Sequence, residues 1–271
     1  MTRLAVVLAA GRGTRMRETV GKVDLTPRQR EAADLGLKGL VPVAGRPFLD
    51  HVLSAVADAG VGEVCLVTGP GDHPVRMRYE KMHPRRLDFR FAVQEEALGT
   101  AHALLQAEEV TGDHSFLLMN ADNWYPPGAV ERVGRVRGSA LAGFRRGGLV
   151  RHGNMPSGRV RSYALVDADG EGRVRRVVEK PVPEEETSLG PGAWVSMTLW
   201  RFRPVIYEAC RMTAPSERGE RELPDAVQIA IEQLGETFLV VPCPDLGVLD
   251  LSRREDISSA AGHLEGGEVL L

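Results

Sequence analysis

Short apolar runs alternate along the chain with stretches in which apolar residues recur at helical spacing. Leu4–Leu8, Val64–Thr68, Phe89–Val93, Phe116–Met119 and Leu141–Phe144 are brief, rich in β-branched or aromatic residues and bounded by turn formers, so they are predicted strands. Between them Pro47–Ala59, Thr100–Glu109 and Gly128–Arg137 carry helical periodicity. Strands that alternate with helices predict an α/β fold, Rossmann-like, three-layer α/β/α with a mostly parallel central sheet. In such sheets ligands sit at the carboxyl ends of the strands.

The second half has a different rhythm. Strand-like runs at Arg159–Val166, Val174–Val178 and Trp194–Phe202, joined by an Asp/Gly turn and a Pro/Glu-rich turn, predict a small antiparallel insertion. A helix over Glu222–Gln233, a strand over Thr237–Val241 and a closing helix over Ser252–His263 follow. Earlier, the polar segment Arg17–Leu37 offers Thr26 as an N-cap, Pro27 at the first helical position and Gly36 beyond the end, which predicts a short helix folded over the preceding loop. Gly147–Gly158, rich in Gly and Arg, reads as an exposed loop. No internal repeat and no hexapeptide β-helix pattern is visible.

With 271 residues, 43% of them hydrophobic, the chain can bury the core of one large domain. The expected organisation is a single domain over residues 1–271, with parts at 1–145 and 146–250 and a C-terminal helix over 251–271. A net charge of −3 leaves no basic field for a nucleic-acid backbone, although a free nucleotide needs only a few placed cations. Cys65, Cys210 and Cys243 are odd in number and far apart, against a disulfide framework or zinc knuckle. The apolar run behind Arg3 is short and ends in Gly-Arg-Gly-Thr-Arg rather than in a cleavage site, and no segment approaches the roughly 18 apolar residues of a membrane span. The expectation is a cytoplasmic protein with no membrane or nucleic-acid partner; composition leaves the oligomeric state open.

The candidate chemistry begins at Leu8–Met16, LAAGRGTRM, directly behind the first strand. Gly11 and Gly13 lack side chains, so backbone N–H groups there can meet a phosphate, and Arg15 adds a fixed cation. An ordinary strand-to-helix turn is the competing reading. Walker and dinucleotide patterns both fail: Thr14 and Arg15 follow Gly13 where a Walker loop needs Lys, and Met16 occupies the third small position. Lys38 stands before an apolar run that opens a helix, near a strand end, and is either a phosphate partner or a solvated lysine. Gln94, Gly99 and Thr100 span a strand end and a helix start: a donor and acceptor for a base edge, room for close approach, and a cap. His102 belongs to the same helix and reads as structural. Asp122, just past the strand Phe116–Met119, is placed for a hard cation such as Mg²⁺, or forms a turn. Asp250 is the candidate second carboxylate, with Asp245 its competitor.

Taken in order, these segments resemble the family of sugar-1-phosphate nucleotidyltransferases. The motifs that carry the resemblance are LAAGRGTRM at Leu8–Met16, Lys38–Pro47, Gln94 with Leu98–Ala101, Asp122, Glu179-Lys180-Pro181 after Tyr163, and Asp250 with Asp256-Ile257; they span nearly the whole chain. The resemblance implies that a nucleoside triphosphate, with UTP the expected donor, condenses with a sugar 1-phosphate to an NDP-sugar and pyrophosphate. It implies catalytic roles for Arg15 and Lys38. Leu8, Ala10, Gly11, Gly13, Thr14, Gln94, Gly99 and Thr100 would bind the nucleotide, and Tyr163, Glu179, Lys180 and Ser196 the sugar phosphate. Asp122 and Asp250 would hold Mg²⁺.

The chain also departs from the family pattern. Ala164 stands where the family has Gly, Ser196-Met197-Thr198-Leu199-Trp200 replaces Asn-x-Gly-x-Tyr, and Ser252-Arg253-Arg254 interrupts a Gly-Thr-Pro run. Two further expectations follow: transfer to a non-sugar or cyclitol phosphate, or a silent module that senses nucleotide without turnover.

Overall fold

The computed structural model describes residues 1–18 and 23–271. Nine strands form one sheet: β1 Leu4–Leu8, β2 Glu63–Thr68, β3 Asp88–Val93, β4 Phe116–Asn120, β5 Ser139–Phe144, β6 Ala164–Ala168, β7 Val174–Val178, β8 Trp194–Phe202 and β9 Phe238–Cys243. Among the described residues twelve helices accompany them: α1 Thr14–Arg17, α2 Pro27–Asp34, α3 Phe48–Asp58, α4 Pro74–Glu80, α5 Thr100–Leu105, α6 Glu108–Thr111, α7 Pro127–Gly134, α8 Arg146–His152, α9 Pro183–Leu189, α10 Ile206–Met212, α11 Leu223–Glu232 and α12 Asp256–Leu264.

Strand β1 lies between β2 and β4, parallel to both, and β3 continues parallel beyond β2. Alternation along β1 sends Ala5 and Val7 into a core with α3, α7 and α12, and Leu4 and Val6 into a second core with α5, α10 and α11. Both faces are therefore covered by helices, as a buried parallel strand of near-continuous apolar residues requires.

The antiparallel insertion is part of this same sheet. Along one edge of β8, Trp200–Phe202 pair with β4 while Trp194–Ser196 pair with β6, and β7 extends β6. Its other edge pairs with β5, which is parallel to β9. The sheet thus forks at β8. At the fork Ser196 faces Gly143 and Trp200 faces Leu141, so four steps along β8 match two along β5. Thr198 sits in this bulge with φ +63, a conformation that β-branched residues rarely adopt, and Tyr125 donates its hydroxyl hydrogen to the Met197 carbonyl at 2.5 Å.

Several expected elements differ. The stretch Gly147–Gly158 contains α8 and the start of a 3₁₀ turn at Ser157–Ser162 rather than an open loop. A Cβ on Gly148 would stand 2.2 Å from the Pro244 carbonyl oxygen, so that glycine admits close packing instead of breaking a helix. The 3₁₀ turn also replaces the first half of the strand expected over Arg159–Val166, because Arg159 is drawn into a buried ion pair with Asp256. The Pro/Glu-rich turn is α9, with Pro183 at its first position and Glu184, Glu185 and Glu186 in its first turn, where acidic side chains favour helix. The helix expected over Thr100–Glu109 divides into α5 and α6, where Gln106 and Ala107 donate three residues back, to Ala103 and Leu104. The closing helix begins at Asp256, not Ser252, because the Asp256 carboxylate accepts the N–H groups of Ser252 and Arg253 and forms a turn there. Helix α2 is as expected, with Thr26 and Gln29 in a capping box; residues 19–22 of the same polar segment lie outside the described residues.

Candidate active site

Because β1 to β4 run parallel, the segments following Leu8, Thr68, Val93 and Asn120 converge on one edge of the sheet. A cavity of about 610 Å³ lies there, within the range of small-molecule sites. It is lined by Leu8–Thr14, Gly36–Gly39, His73, Gln94, Ala97–Thr100, Asp122 and the loop residues Arg218–Glu220.

The glycine turn forms one wall. Gly13 has φ +61, and a Cβ on it would fall 2.2 Å from the Gly36 carbonyl oxygen, so its glycine is a packing requirement. A Cβ on Gly11 would meet nothing within 4 Å, and that residue leaves a bare backbone face on the cavity. Among the described residues no backbone carbonyl accepts from the N–H groups of Ala10, Gly11, Arg12 or Gly13, which makes them available to an anion. Thr14 lines the cavity; Arg15 is exposed on α1 and lies outside the lining, whereas Arg12 is in it. The sequence reading passed over Arg12, although it sits between the two glycines.

At the next strand end the Lys38 ammonium donates to Asp122 Oδ2 at 2.6 Å. Asn123–Trp124 pair antiparallel with Leu249–Asp250, and the Leu251 N–H donates to the Asp122 carbonyl at 2.8 Å, which brings the two aspartates side by side. Asp250 Oδ1 accepts from Asn123 Nδ2 at 3.0 Å and from Ser252 Oγ at 2.9 Å, and Arg159 Nη1 lies 3.6 Å from Oδ2. Burial first and the Asp122 charge second push the Asp250 carboxyl above the usual carboxylate range. Oδ2 is buried with no hydrogen-bond partner among the described residues. Two adjacent carboxylates, one lining the cavity and the other with an orphaned oxygen, suit a hard divalent cation that completes its shell with substrate oxygens. Asp245 is 82% exposed and 4.0 Å from Arg151, on the surface.

At the far side of the cavity Gln94 is buried, and its Nε2 donates to the Gly99 carbonyl and to His102 Nδ1, both at 3.1 Å. Both donors of Gln94 are thus engaged, one of them on His102, which leaves its Oε1. Gly99 has φ +103, and a Cβ there would stand 2.4 Å from the Arg221 carbonyl oxygen, so the demand for glycine comes from the neighbouring chain. Thr100 does not cap its own helix: its Oγ1 accepts the Leu223 N–H at 2.9 Å, the first of α11. The ring of His73, kept neutral by burial, lines the same cavity and had no signal in the sequence.

The remaining predicted residues lie on the forked side. Tyr163 is half-buried, its hydroxyl held protonated by burial and the nearby Asp250 carboxylate. Ser196 is buried on β8 between Gly143 and Ala164. Glu179 and Lys180 are 3.4 Å apart; burial raises the Glu179 carboxyl, and Lys180 has φ +46. None of these four lines the cavity, whereas Arg218, which the sequence reading missed, does, and it is ion-paired with Glu222. Arg159 and Asn154 also escaped that reading as parts of the Asp250 support, because their partners lie nearly a hundred residues away.

A model of the nucleotidyl transferase family matches residues 4–242, and the chain belongs to that family. It is 31% identical to UTP--glucose-1-phosphate uridylyltransferase AglF of Haloferax volcanii over 96% of this chain and 96% of that protein. It is 33% identical to glucose-1-phosphate thymidylyltransferase of Streptomyces antibioticus over 84% of its own length, a match that spans 57% of that protein. The fold is that of a UDP-glucose pyrophosphorylase solved with UDP-glucose, at a TM-score of 0.74 and 18% identity over 97% of this chain and 98% of that one.

Proposed function

We propose that this nucleotidyltransferase condenses a nucleoside triphosphate, UTP by preference, with a sugar 1-phosphate to give an NDP-sugar and pyrophosphate. The observation that carries the reading is the convergence of the free N–H groups of the glycine turn with Lys38, Asp122 and Asp250 at one edge of the sheet. An oxygen of the sugar phosphate attacks the α-phosphorus in line, the bond from that phosphorus to the bridging oxygen breaks, and pyrophosphate departs. The nucleophile is already an anion, so no general base is needed and rate comes from positioning and charge neutralisation.

In this reading the N–H groups of Ala10–Gly13 cradle the triphosphate, with Arg12 and Arg15 beside its outer phosphates. Lys38 leaves Asp122 to bridge the α-phosphate and the incoming phosphate. Asp122 and Asp250 would hold Mg²⁺, which would neutralise charge on the α-phosphate and the leaving group. Gln94 Oε1 accepts from a base N–H, as uracil provides, beside Gly99 and Thr100. Tyr163, Glu179, Lys180 and Ser196 lie on the acceptor side, and residues 1–145 and 146–250 divide nucleotide from acceptor. Three buried, unpaired thiols favour the cytoplasm as the compartment.

The test is to follow pyrophosphate with Mg²⁺ and each of the common triphosphates against a panel of sugar 1-phosphates. Release with a uridine nucleotide and one sugar phosphate is expected. Release only with a cyclitol or other non-sugar phosphate would change the acceptor, and nucleotide binding without release from any pair would leave a sensing module.

A further inference from the structure

Arg254 follows Asp250 by four residues and is 6% exposed. Its Nε donates to the Met16 carbonyl at 2.9 Å, and its Nη2 donates to the Arg17 carbonyl at 3.1 Å and to Asp34 Oδ1 at 2.5 Å. Met16 and Arg17 are the last residues of α1, the four-residue helix that opens on Gly13. So short a helix is not stable alone, and its final carbonyls have no partner within it. Arg254 supplies donors to those carbonyls and a positive charge at the helix's negative end.

The segment that carries Arg254 is itself fixed on the other side. The Asp256 carboxylate accepts from the Ser252 and Arg253 N–H groups at 3.0 and 2.8 Å and from both terminal nitrogens of Arg159 at 2.8 and 2.5 Å. Ser252 Oγ in turn donates to Asp250 Oδ1. One turn of chain, Asp250–Asp256, therefore grips both the second carboxylate of the site and the end of the glycine-turn helix.

We propose that Arg254 is a positioning residue for the nucleoside triphosphate. It clamps α1 so that the N–H groups of the glycine turn stay aimed into the cavity, at a fixed offset from Asp122 and Asp250. The inference rests on the reading of that turn as the triphosphate cradle. Met16, the one buried side chain of α1, packs in the core beneath the sheet, so the helix keeps an apolar anchor when the clamp is lost.

The experiment compares R254M, which keeps the apolar stem, and D34N, which alters one exposed partner, with the wild type. Read out are the KM for each substrate, kcat, the melting temperature and amide exchange over residues 14–18. For R254M the KM for the triphosphate should rise about tenfold, as loss of a charge-assisted hydrogen-bond set predicts, with the KM for the sugar phosphate within about twofold. Exchange over 14–18 should quicken, and D34N should raise the triphosphate KM about threefold. An unchanged triphosphate KM in R254M, or equal rises for both substrates with a lowered melting temperature, would overturn the proposal. Should R254M not fold, an unchanged KM in D34N overturns it. Failure of the wild type to bind any triphosphate would overturn the cradle reading beneath it as well.

Discussion

Lys38 faces Asp122 across 2.6 Å in the lining of the cavity, so its ammonium is oriented where a phosphate would arrive. Lys38→Ala should lower the rate of pyrophosphate release by about 10²–10³-fold, the scale for one charge-stabilising donor, with the melting temperature nearly unchanged. Unfolding of the variant, or wild-type turnover, would rule out that role. Asp250 carries a cost in the fold. Its folded-state carboxyl lies above the ordinary value, because burial and the charges of Asp122 and Asp256 oppose ionisation. The fold therefore binds this proton more tightly than the unfolded chain does. The destabilisation is fully present above the raised pKa and is relieved as pH falls through it toward the ordinary carboxylate range. Asp250→Asn, in metal-free buffer, should raise the melting temperature at pH 8, show a shrinking advantage on acidification, and abolish turnover. A variant that melts lower at pH 8 would show that the carboxylate stabilises the fold.

The glycine turn separates two uses of one residue type. Gly13→Ala forces a Cβ against Gly36 in a left-handed backbone and should cost about 1–3 kcal/mol, measured by denaturant unfolding. Gly11→Ala meets no protein atom, so it should leave stability within about 0.5 kcal/mol and instead raise the KM for the triphosphate. Equal stability losses in the two variants would refute the distinction. Linear spacing showed a glycine turn but could not tell these two residues apart, since only the approach of Gly36 does so. For the same reason Gly147–Gly158 suggested a loop: glycines that admit Pro244 and Val248 look, in one dimension, like helix breakers. The strands β1, β2 and β4, by contrast, were legible almost to the residue, because a buried parallel strand needs an unbroken apolar run.

For the molecule as a whole, a ligand that binds only the folded state stabilises it by about 2.7 kcal/mol at a hundredfold excess over Kd, or several degrees of melting temperature for a chain of this size. Mg²⁺ with UTP should produce that shift, and EDTA should remove most of it. A shift indifferent to EDTA would argue against Asp122 and Asp250 as metal ligands, and equal shifts with every triphosphate would argue against Gln94 as a base reader. The forked sheet makes such a site from remote parts: β4 brings Asp122, and the pairing of Asn123–Trp124 with Leu249–Asp250 brings the second carboxylate. Read alone, the chain specified the α/β class, the parallel strands, the glycine turn, Lys38, and Asp122 at its strand end. Each of these is a local matter, a run of side chains and the turn that ends it. Folding had to supply the rest: the merger of the antiparallel strands into one sheet, the placing of Asp250 beside Asp122 with Asp245 on the surface, the Arg159–Asp256 pair, and the hold of Arg254 on Met16 across 238 residues. Those are contacts between segments distant along the chain, and periodicity and spacing carry no record of which distant carbonyl or carboxylate a buried guanidinium will meet.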